Sequence, residues 1–278
     1  MTSMAKTFPA ITQDLDARGL YDLAAQKIDL IHVPGFCPQD FCADLADAVA
    51  AHQALEAYRT QSALKRLGMG FVDVDGDPQA LGRYQAQALA ATRAVRALAQ
   101  SRLTPIDHLR LILDEVWPAG AMIERIRGAP AFVGAYRVIE PGAAMLPHND
   151  RLARMLAALP AGAPDVAPEG PETPPDSCGM TGQLAVNIYL DMPEQGGEIE
   201  LWLRHPTPEE DARIGADDGL SRETLEPPKL VFRPAIGDLL IFNARLIHNV
   251  APGVGGRRVS ASCFIGCRGT ARPLTVWS

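Results

Sequence analysis

The sequence predicts an α+β fold, with helices in the first half of the chain and strands in the second. Two observations carry this prediction. Apolar residues recur at helical spacing between 38 and 116, and from 131 onward short apolar runs are separated by turn residues. The length of 278 residues fits one large domain or two small ones, and a hydrophobic content of 47% allows a sizeable core.

Three helices are expected in the first half of the chain. The first opens at Pro38 and runs to about Arg59, the second covers 83–100, and the third begins at Pro105. A strand at 28–33 precedes them and is closed by Pro34 and Gly35. These helices carry no convergent polar cluster, so we interpret them as support for one face of a sheet.

The second half of the chain contains the expected core strands, at 131–139, 183–190, 198–203, 230–232, 239–242 and 258–265. A short helix is expected directly after Asp150. Two further segments, 160–181 and 207–229, are rich in turn residues and interrupt the strands. We interpret both as insertions, and we expect the first to be a long loop over the mouth of a site.

Charge and composition exclude several classes of function. The net charge is −7 and the basic residues are scattered, which argues against binding to nucleic acid or to an anionic membrane. No run of ~18 apolar residues and no signal-peptide pattern is present, so no membrane helix is expected. The five cysteines form no C-x-x-C pair, which favours a reduced, cytoplasmic compartment.

One stretch, 136–150, ends in His148-Asn149-Asp150 after a strand-like beginning, Y-R-V-I-E. In an extended chain, residues i and i+2 point to the same side, so one imidazole and one carboxylate converge there. His248, in L-I-F-N-A-R-L-I-H-N-V, is the best candidate for a third ligand. Two histidines and one carboxylate form the facial triad that binds non-haem Fe(II) and leaves coordination positions open.

The H-x-D pattern alone is a weak signal, because a surface histidine beside a solvated aspartate explains it equally well. The residues that follow His248 strengthen the metal interpretation. Ten residues later comes Arg258, and Ser260 lies two positions further on. In a strand these two side chains face the same way, and together they offer a planar cation and a hydroxyl to one anionic group.

Several motifs, in order and in spacing, resemble those of the Fe(II)/2-oxoglutarate-dependent oxygenases. They are H-x-D at 148–150, Y-L-D-M-P-E-Q-G-G-E-I-E-L at 189–201, R-P-A-I-G-D-L-L-I-F-N at 233–243, His248, and R-x-S at 258–260. Within that superfamily the chain is most similar to the stand-alone, carrier-protein-independent oxygenases of natural-product pathways, which include halogenases. The likeness covers roughly 130–278 well. The halogenases lack the carboxylate ligand, so Asp150 favours hydroxylation.

The resemblance implies a double-stranded β-helix (jelly-roll) core with flanking N-terminal helices. We expect a single oxygenase domain over 1–278. In this prediction 1–125 form a mainly helical flank and 126–278 form the jelly-roll core, with 160–181 and 207–229 as lid or insertions. The insertions would help to select the substrate.

The resemblance also implies cofactors and their residues. His148, Asp150 and His248 would hold Fe(II), with 2-oxoglutarate and dioxygen at the open positions. Arg258 would pair with the distal carboxylate of 2-oxoglutarate, and Ser260 would donate a further hydrogen bond. Further candidates are Tyr136 and Asn187 for the cosubstrate, and Arg151, Arg154, Tyr189 and Trp202 for the substrate. The two arginines are equally well explained as solvated, and Trp202 as ordinary core.

The reaction implied by the resemblance is hydroxylation of an unactivated C–H bond of a small molecule, with release of succinate and CO₂. Desaturation, cyclisation or demethylation with the same cofactors stays open. An alternative from another class is a non-enzymatic, cupin-like protein that binds a metal or a ligand. The sequence leaves open which substrate is oxidised, and monomer and homodimer are both compatible with it.

Overall fold

The computed structural model describes residues 9–58, 62–160, 178–217 and 219–278. Most of the predicted loop at 160–181 lies outside these residues, so its interpretation as a lid stays a prediction. None of the described helices is both long and apolar enough to span a bilayer. The helices of the described ranges are Ala17–Ala24 (α1), Gln39–Ala50 (α2), Pro78–Ala97 (α3), Pro105–Val116 (α4), Leu152–Ala157 (α5) and Pro208–Asp217 (α6).

The strands of the described residues are short in the first half of the chain and longer in the second. They are Ile11–Thr12 (β1), Leu30–Val33 (β2), Glu56–Ala57 (β3), Leu64–Leu67 (β4), Ala121–Ile123 (β5), Arg125–Ile126 (β6), Ala129–Pro130 (β7), Ala135–Ile139 (β8), Gly182–Asp191 (β9), Gln195–Gly196 (β10), Ile199–Leu201 (β11), Leu230–Phe232 (β12), Leu239–Asn243 (β13), His248–Val250 (β14), Gly253–Val254 (β15), Arg258–Cys267 (β16) and Leu274–Trp277 (β17).

A large mixed sheet dominates the described part of the chain. It has ten strands in the order β1-β2-β13-β9-β16-β8-β4-β3, and β17 pairs with both β16 and β5. A separate three-stranded sheet has the order β12-β11-β14, and two smaller pairs are β10-β15 and β6-β7. Helices and a large sheet therefore occur in the same structure, which confirms the predicted α+β class. The jelly-roll arrangement of the strands stays a prediction.

The two faces of the large sheet differ in what they present. Ser260 on β16 lies opposite Arg137 on β8 and opposite Tyr189 on β9, so these three side chains share one face. The next residue, Ala261, lies opposite Tyr136, and both point to the other face. The strand alternation thus separates a polar face from a face that is available for packing.

The helices of the first half cover that second face. Helix α2 packs against β9, and α4 packs against β16 and β17. Leu45 and Val49 of α2 and Leu109 and Leu113 of α4 are buried in the same core cluster as Tyr136. The helical stripes were expected to support a sheet, and they do.

Two helix boundaries differ from the prediction for local reasons. Helix α2 ends at Ala50, well before Arg59, and the chain then turns into β3. Helix α3 begins at Pro78, before the expected start at residue 83. Its N-cap is Asp77, whose Oδ1 accepts a hydrogen bond from the backbone N–H of Gln79 at 2.8 Å. Proline at the first helical position then fixes the start.

The second insertion, 207–229, contains a helix where only turns were expected. Helix α6 starts after Thr207, whose Oγ1 accepts a hydrogen bond from the N–H of Glu210 at 3.2 Å. The Glu210 carboxylate accepts in return from the N–H of Thr207 at 2.8 Å. This reciprocal pair is a capping box, which satisfies two donors at the helix start. The prediction of a turn-rich segment was wrong for Pro208–Asp217.

Candidate metal centre and cosubstrate site

The three predicted metal ligands lie where a connecting segment meets the three-stranded sheet. His248 is the first residue of β14, and His148 forms a β-bridge with it. The N–H of His148 donates to the carbonyl of His248 at 2.9 Å, and the reverse bond measures 2.8 Å. The N–H of Asp150 donates to the carbonyl of Ala244 at 2.8 Å. Backbone bonds therefore fix the positions of all three ligands.

The ligand atoms of the triad converge. One ligand atom from each residue lies within 4.8 Å of the other two. The distances to Asp150 Oδ2 are 3.3 Å from His248 Nε2 and 3.8 Å from His148 Nε2. Each histidine also places Nδ1 at a carbonyl oxygen, that of Leu146 at 2.7 Å and that of Leu246 at 2.9 Å. A carbonyl only accepts, so Nδ1 carries the proton and Nε2 keeps its lone pair for a metal.

The protonation states of the site suit a divalent cation. Burial and the neighbouring His248 lower the pKa of His148 to about 4, so its imidazole is neutral at physiological pH. Burial alone would raise the pKa of Asp150. The neighbouring side chains of His248, His148 and Arg137 nevertheless hold that pKa well below its usual range. Neutral nitrogen and ionised oxygen donors are what a metal needs.

A second group of polar atoms is buried without partners. Arg258 is 3% exposed, and Ser260 and Tyr189 are fully buried. Among the described residues, Nε and Nη2 of Arg258, Oγ of Ser260 and the hydroxyl of Tyr189 have no hydrogen-bond partner. The Arg258 guanidinium carbon lies 4.8 Å from the centre of the Tyr189 ring. A buried cation without an anion is costly. A carboxylate accepting from all three side chains would remove that cost.

Comparison with known proteins agrees with this donor set. No family model matches the chain. An L-gamma-glutamyl-L-propargylglycine hydroxylase from Streptantibioticus cattleyicolor is 29% identical over an alignment of 283 residues, which covers 98% of this chain and 97% of the relative. This full-length similarity to a hydroxylase and the His-Asp-His donor set both agree with the predicted resemblance to the Fe(II)/2-oxoglutarate-dependent oxygenases.

Solved structures show the same fold. The N-substituted L-amino acid dioxygenase from Burkholderia ambifaria matches this chain with a TM-score of 0.55 and 13% identity, over 94% of this chain and 91% of that one. The same dioxygenase in complex with alpha-ketoglutarate matches over the same shares of the two chains, with a TM-score of 0.58 and 14% identity. At this level of identity the likeness concerns the fold.

The structure places an unpredicted residue, Arg137, beside the triad, and it places Tyr136 away from the triad. Arg137 lines a cavity together with His148 and Asp150. Tyr136 points to the opposite face of β8, where burial and then the nearby Asp107 of α4 raise its pKa. Tyr136 therefore lies outside the site, and its prediction as a cosubstrate residue was wrong. The alternation of the strand puts its neighbour there instead.

Two residues of β9, Asn187 and Tyr189, share the polar face of the large sheet. Asn187 lies opposite Ser262 on β16, and Tyr189 lies opposite Ser260. Tyr189 was expected to contact substrate, but its unpartnered hydroxyl belongs to the group around Arg258. Asn187 is buried on the same face, and its contact with the cosubstrate stays a prediction.

Arg151 and Arg154 have a partner that the sequence did not predict. Both reach Asp211 of helix α6, at 3.2 Å and 3.0 Å respectively. Arg154 also donates to the side-chain and backbone oxygens of Asn149, at 3.0 Å and 2.9 Å. These arginines are therefore neither free for a substrate anion nor simply solvated. Their bonds to Asp211 connect helix α6 to the segment that contains the predicted metal ligands His148 and Asp150.

Trp202 lies in a small second core and outside the cavity. It packs with Ile214, Leu220 and Ile247, and its indole N–H donates to the carbonyl of Glu226 at 2.6 Å. Its prediction as a substrate contact was wrong, and the alternative of ordinary core applies. Trp202 anchors α6 and the segment after it against the three-stranded sheet.

The cavity beside the triad has a volume of about 520 Å³, which suits a small organic molecule. Strands β3 and β4 and the segment 69–75 supply one wall, so the first half of the chain contributes directly to the site. The apolar part of the lining includes Met69, Phe71, Met145, Phe264 and Trp277. No sequence signal had marked β4, which has only four residues, as part of a site.

Proposed function

We propose that this oxygenase hydroxylates an unactivated C–H bond of a small, amino-acid-derived molecule and converts 2-oxoglutarate to succinate and CO₂. The proposal rests on two groups of side chains, each of which lacks the ligand that its charges and donors suit. A triad of nitrogen and oxygen donors has room for a cation, and the group around Arg258 has room for a carboxylate. The full-length similarity to a hydroxylase of a γ-glutamyl amino acid supports the reaction type and the substrate class.

The residues divide between the two cofactors. His148, Asp150 and His248 would hold the iron. When bound, Fe(II) and 2-oxoglutarate would activate dioxygen, so that one oxygen atom is inserted into the C–H bond and the other enters succinate.

Arg258, Ser260 and Tyr189 would hold the distal carboxylate of 2-oxoglutarate. The charge-assisted hydrogen bonds from the Arg258 guanidinium would each contribute on the order of 1.5–3 kcal/mol, and those from the two neutral hydroxyls would contribute less. The other task of this chain is to orient the substrate and to keep water out.

Asp150 favours hydroxylation as the outcome. Halogenases of this superfamily lack the carboxylate ligand and use its position for halide. Here Asp150 is present, its Oδ2 lies 3.3 Å from His248 Nε2, and its pKa is held well below its usual range. We expect no halogenated product from the wild-type enzyme.

We further propose that the two sheets form the double-stranded β-helix of the superfamily within a single domain. The large sheet would be one half and the three-stranded sheet the other, with the metal ligands between them. The pairing of β2 with β13 and of β4 with β8 supports a single unit over 1–278. Residues 1–125 would still supply most of the helical flank.

The first test is succinate formation from 2-oxoglutarate with Fe(II) in air. Wild-type enzyme is compared with His148→Ala, with and without L-γ-glutamyl-L-propargylglycine as a candidate substrate. We expect succinate in the wild type only, and for an accepted substrate a product heavier by one oxygen atom. Absence of succinate, together with absence of 2-oxoglutarate binding, would contradict the proposal and favour a non-enzymatic metal-binding protein.

A further inference from the structure

Two arginines lie side by side on the polar face of the large sheet. Arg66 on β4 and Arg137 on β8 are direct partners across the strand pair. Like charges placed directly opposite each other destabilise a sheet. Both side chains line the cavity that contains His148 and Asp150. A pair of cations at this position is unfavourable unless anions compensate both charges.

The contacts of Arg137 leave its charge uncompensated. Its Nε donates to the Tyr58 hydroxyl at 3.3 Å, which is a neutral partner. Among the described residues, no carboxylate forms an ion pair with it. The charge of Asp150 acts on it from nearby, but that carboxylate belongs to the metal triad. A mostly buried guanidinium beside an iron site therefore lacks an anion of its own.

Arg66 is only partly compensated. It forms an ion pair with Asp73, a side chain that is 54% exposed, and its guanidinium carbon lies 5.1 Å from the centre of the Tyr58 ring. Its Nε is buried and has no hydrogen-bond partner among the described residues. Arg66 thus adds positive charge behind Arg137 and retains one unused donor.

The remaining charges of the cavity lie at its mouth. Glu56, Asp73 and Asp75 also line it, and all three are exposed to solvent. Water screens exposed carboxylates strongly, so they do not neutralise a cation further inside. Much of the remaining lining is apolar, and it includes three methionines and the aromatic side chains of Phe71, Phe264 and Trp277. The cavity therefore combines an interior cation pair with apolar walls.

We propose that Arg137, supported by Arg66, binds a carboxylate of the substrate and makes the enzyme select small carboxylic acids with an apolar chain. The inference rests on the proposed function and names the substrate class for the same site. It assigns the two ends of the site to different anions. Arg258 binds the carboxylate of 2-oxoglutarate on one side, and Arg137 binds the carboxylate of the substrate on the other.

The test compares acids with their primary amides, because the amide keeps the shape and removes the charge. The probes are L-leucine, L-propargylglycine and L-γ-glutamyl-L-propargylglycine, each with its C-terminal amide. Calorimetry measures their binding to enzyme loaded with Fe(II) and 2-oxoglutarate without oxygen. A lost charge-assisted hydrogen bond corresponds to roughly a 10- to 100-fold change in Kd, so we expect at least one acid to bind that much more tightly than its amide.

Variants assign the preference to its residue. Arg137→Gln should weaken binding of the acid and leave binding of the amide unchanged, so that the two affinities become nearly equal. Arg66→Gln should have the same effect to a smaller extent. Arg151→Gln is the matched control, because it removes an arginine that is close in sequence but paired with Asp211. The control should keep the preference for the acid.

Three results would overturn the inference. One is that no acid in the panel binds more tightly than its amide. The second is a preference for the acid that survives in Arg137→Gln. The third is that Arg137→Gln lowers the affinity for 2-oxoglutarate instead of the affinity for the acid. Arg137 would then be assigned to cosubstrate binding.

A failure of the proposed function shows itself separately. It appears as absence of 2-oxoglutarate binding and of succinate formation in the wild type. The acid and amide affinities are measured by calorimetry and do not depend on turnover, so the two outcomes stay distinguishable.

Discussion

Arg151 and Arg154 can be compared with Arg137 and Arg258, since each pair belongs to the surroundings of one iron site. The first pair follows Asp150 directly in sequence, and both of its members are ion-paired with Asp211. The second pair comes from strands β8 and β16. Its members share the polar face of the sheet and, among the described residues, have no carboxylate partner of their own. Arg137 lines the cavity beside the triad, and Arg258 is buried with two donors that have no partner among the described residues.

The difference teaches that the partner of a charged side chain indicates its role better than its distance in sequence from a metal ligand. A paired cation on the surface contributes modestly to the stability of the fold. A buried cation without an anion lowers stability, and such a group marks a functional site. The following substitutions test this contrast, from the largest expected effect to the smallest.

His148→Ala removes a metal ligand and should abolish succinate formation. Even the loss of a residue that only supports a ligand weakens metal binding by up to roughly 100-fold, so the loss of a ligand should exceed that. Iron content after gel filtration and succinate formation are the measurements. His205→Ala is the control, because His205 is exposed and lies outside the triad. Retention of iron by His148→Ala would contradict the assignment.

Arg258→Met removes the cation proposed for the cosubstrate. We expect the KM for 2-oxoglutarate to rise roughly 10- to 100-fold, the equivalent of one charge-assisted hydrogen bond. Arg258→Lys keeps the charge and loses the planar fork, so it should recover only part of the affinity. An unchanged KM in Arg258→Met would show that the buried guanidinium serves another ligand.

Tyr189→Phe tests a neutral member of the same group. Loss of a hydrogen bond from the hydroxyl should raise the KM for 2-oxoglutarate roughly 2- to 10-fold. Without 2-oxoglutarate the variant should be as stable as the wild type or more stable, because the removed hydroxyl is buried and unpartnered. Thermal unfolding with and without 2-oxoglutarate measures both effects. A large loss of stability without ligand would indicate a structural role.

Asp211→Asn tests the paired arginines. It weakens two partly exposed ion pairs, so we expect a loss of about 1 kcal/mol and a fall of roughly 2–4 °C in Tm. The KM for 2-oxoglutarate should stay at the wild-type value, since α6 does not reach the group around Arg258. A selective loss of substrate affinity with an unchanged Tm would return Arg151 and Arg154 to the list of substrate contacts.

The metal ligands and Arg258 were predictable because their signals are local. His148 and Asp150 share a side of an extended segment, and Arg258 and Ser260 share a side of one strand. The position of Arg137 in the site, where Tyr136 had been predicted, was not predictable in the same way. Strand β8 is covered on both sides, so its sequence A-Y-R-V-I carries no clear alternation, and its register with β16 is a long-range property.

Other features needed contacts between distant parts of the chain. Arg66 enters the site through a four-residue strand that pairs with β8. The partner of Arg154 lies 57 residues away on α6. The helix itself did have a sequence signal, because Thr207 and Glu210 form a capping box just before it. No sequence signal indicated that this helix would contact Asn149.

The backbone bridge between His148 and His248 has a consequence for how the enzyme acquires its metal. Since main-chain hydrogen bonds and the Leu146 and Leu246 carbonyls already orient both imidazoles, the cage is assembled during folding rather than by the ion. Iron then enters a preorganised template, and its binding free energy is not consumed in ordering the chain. Chelation should leave a folded apoprotein that regains full occupancy when Fe(II) is returned, without a refolding step.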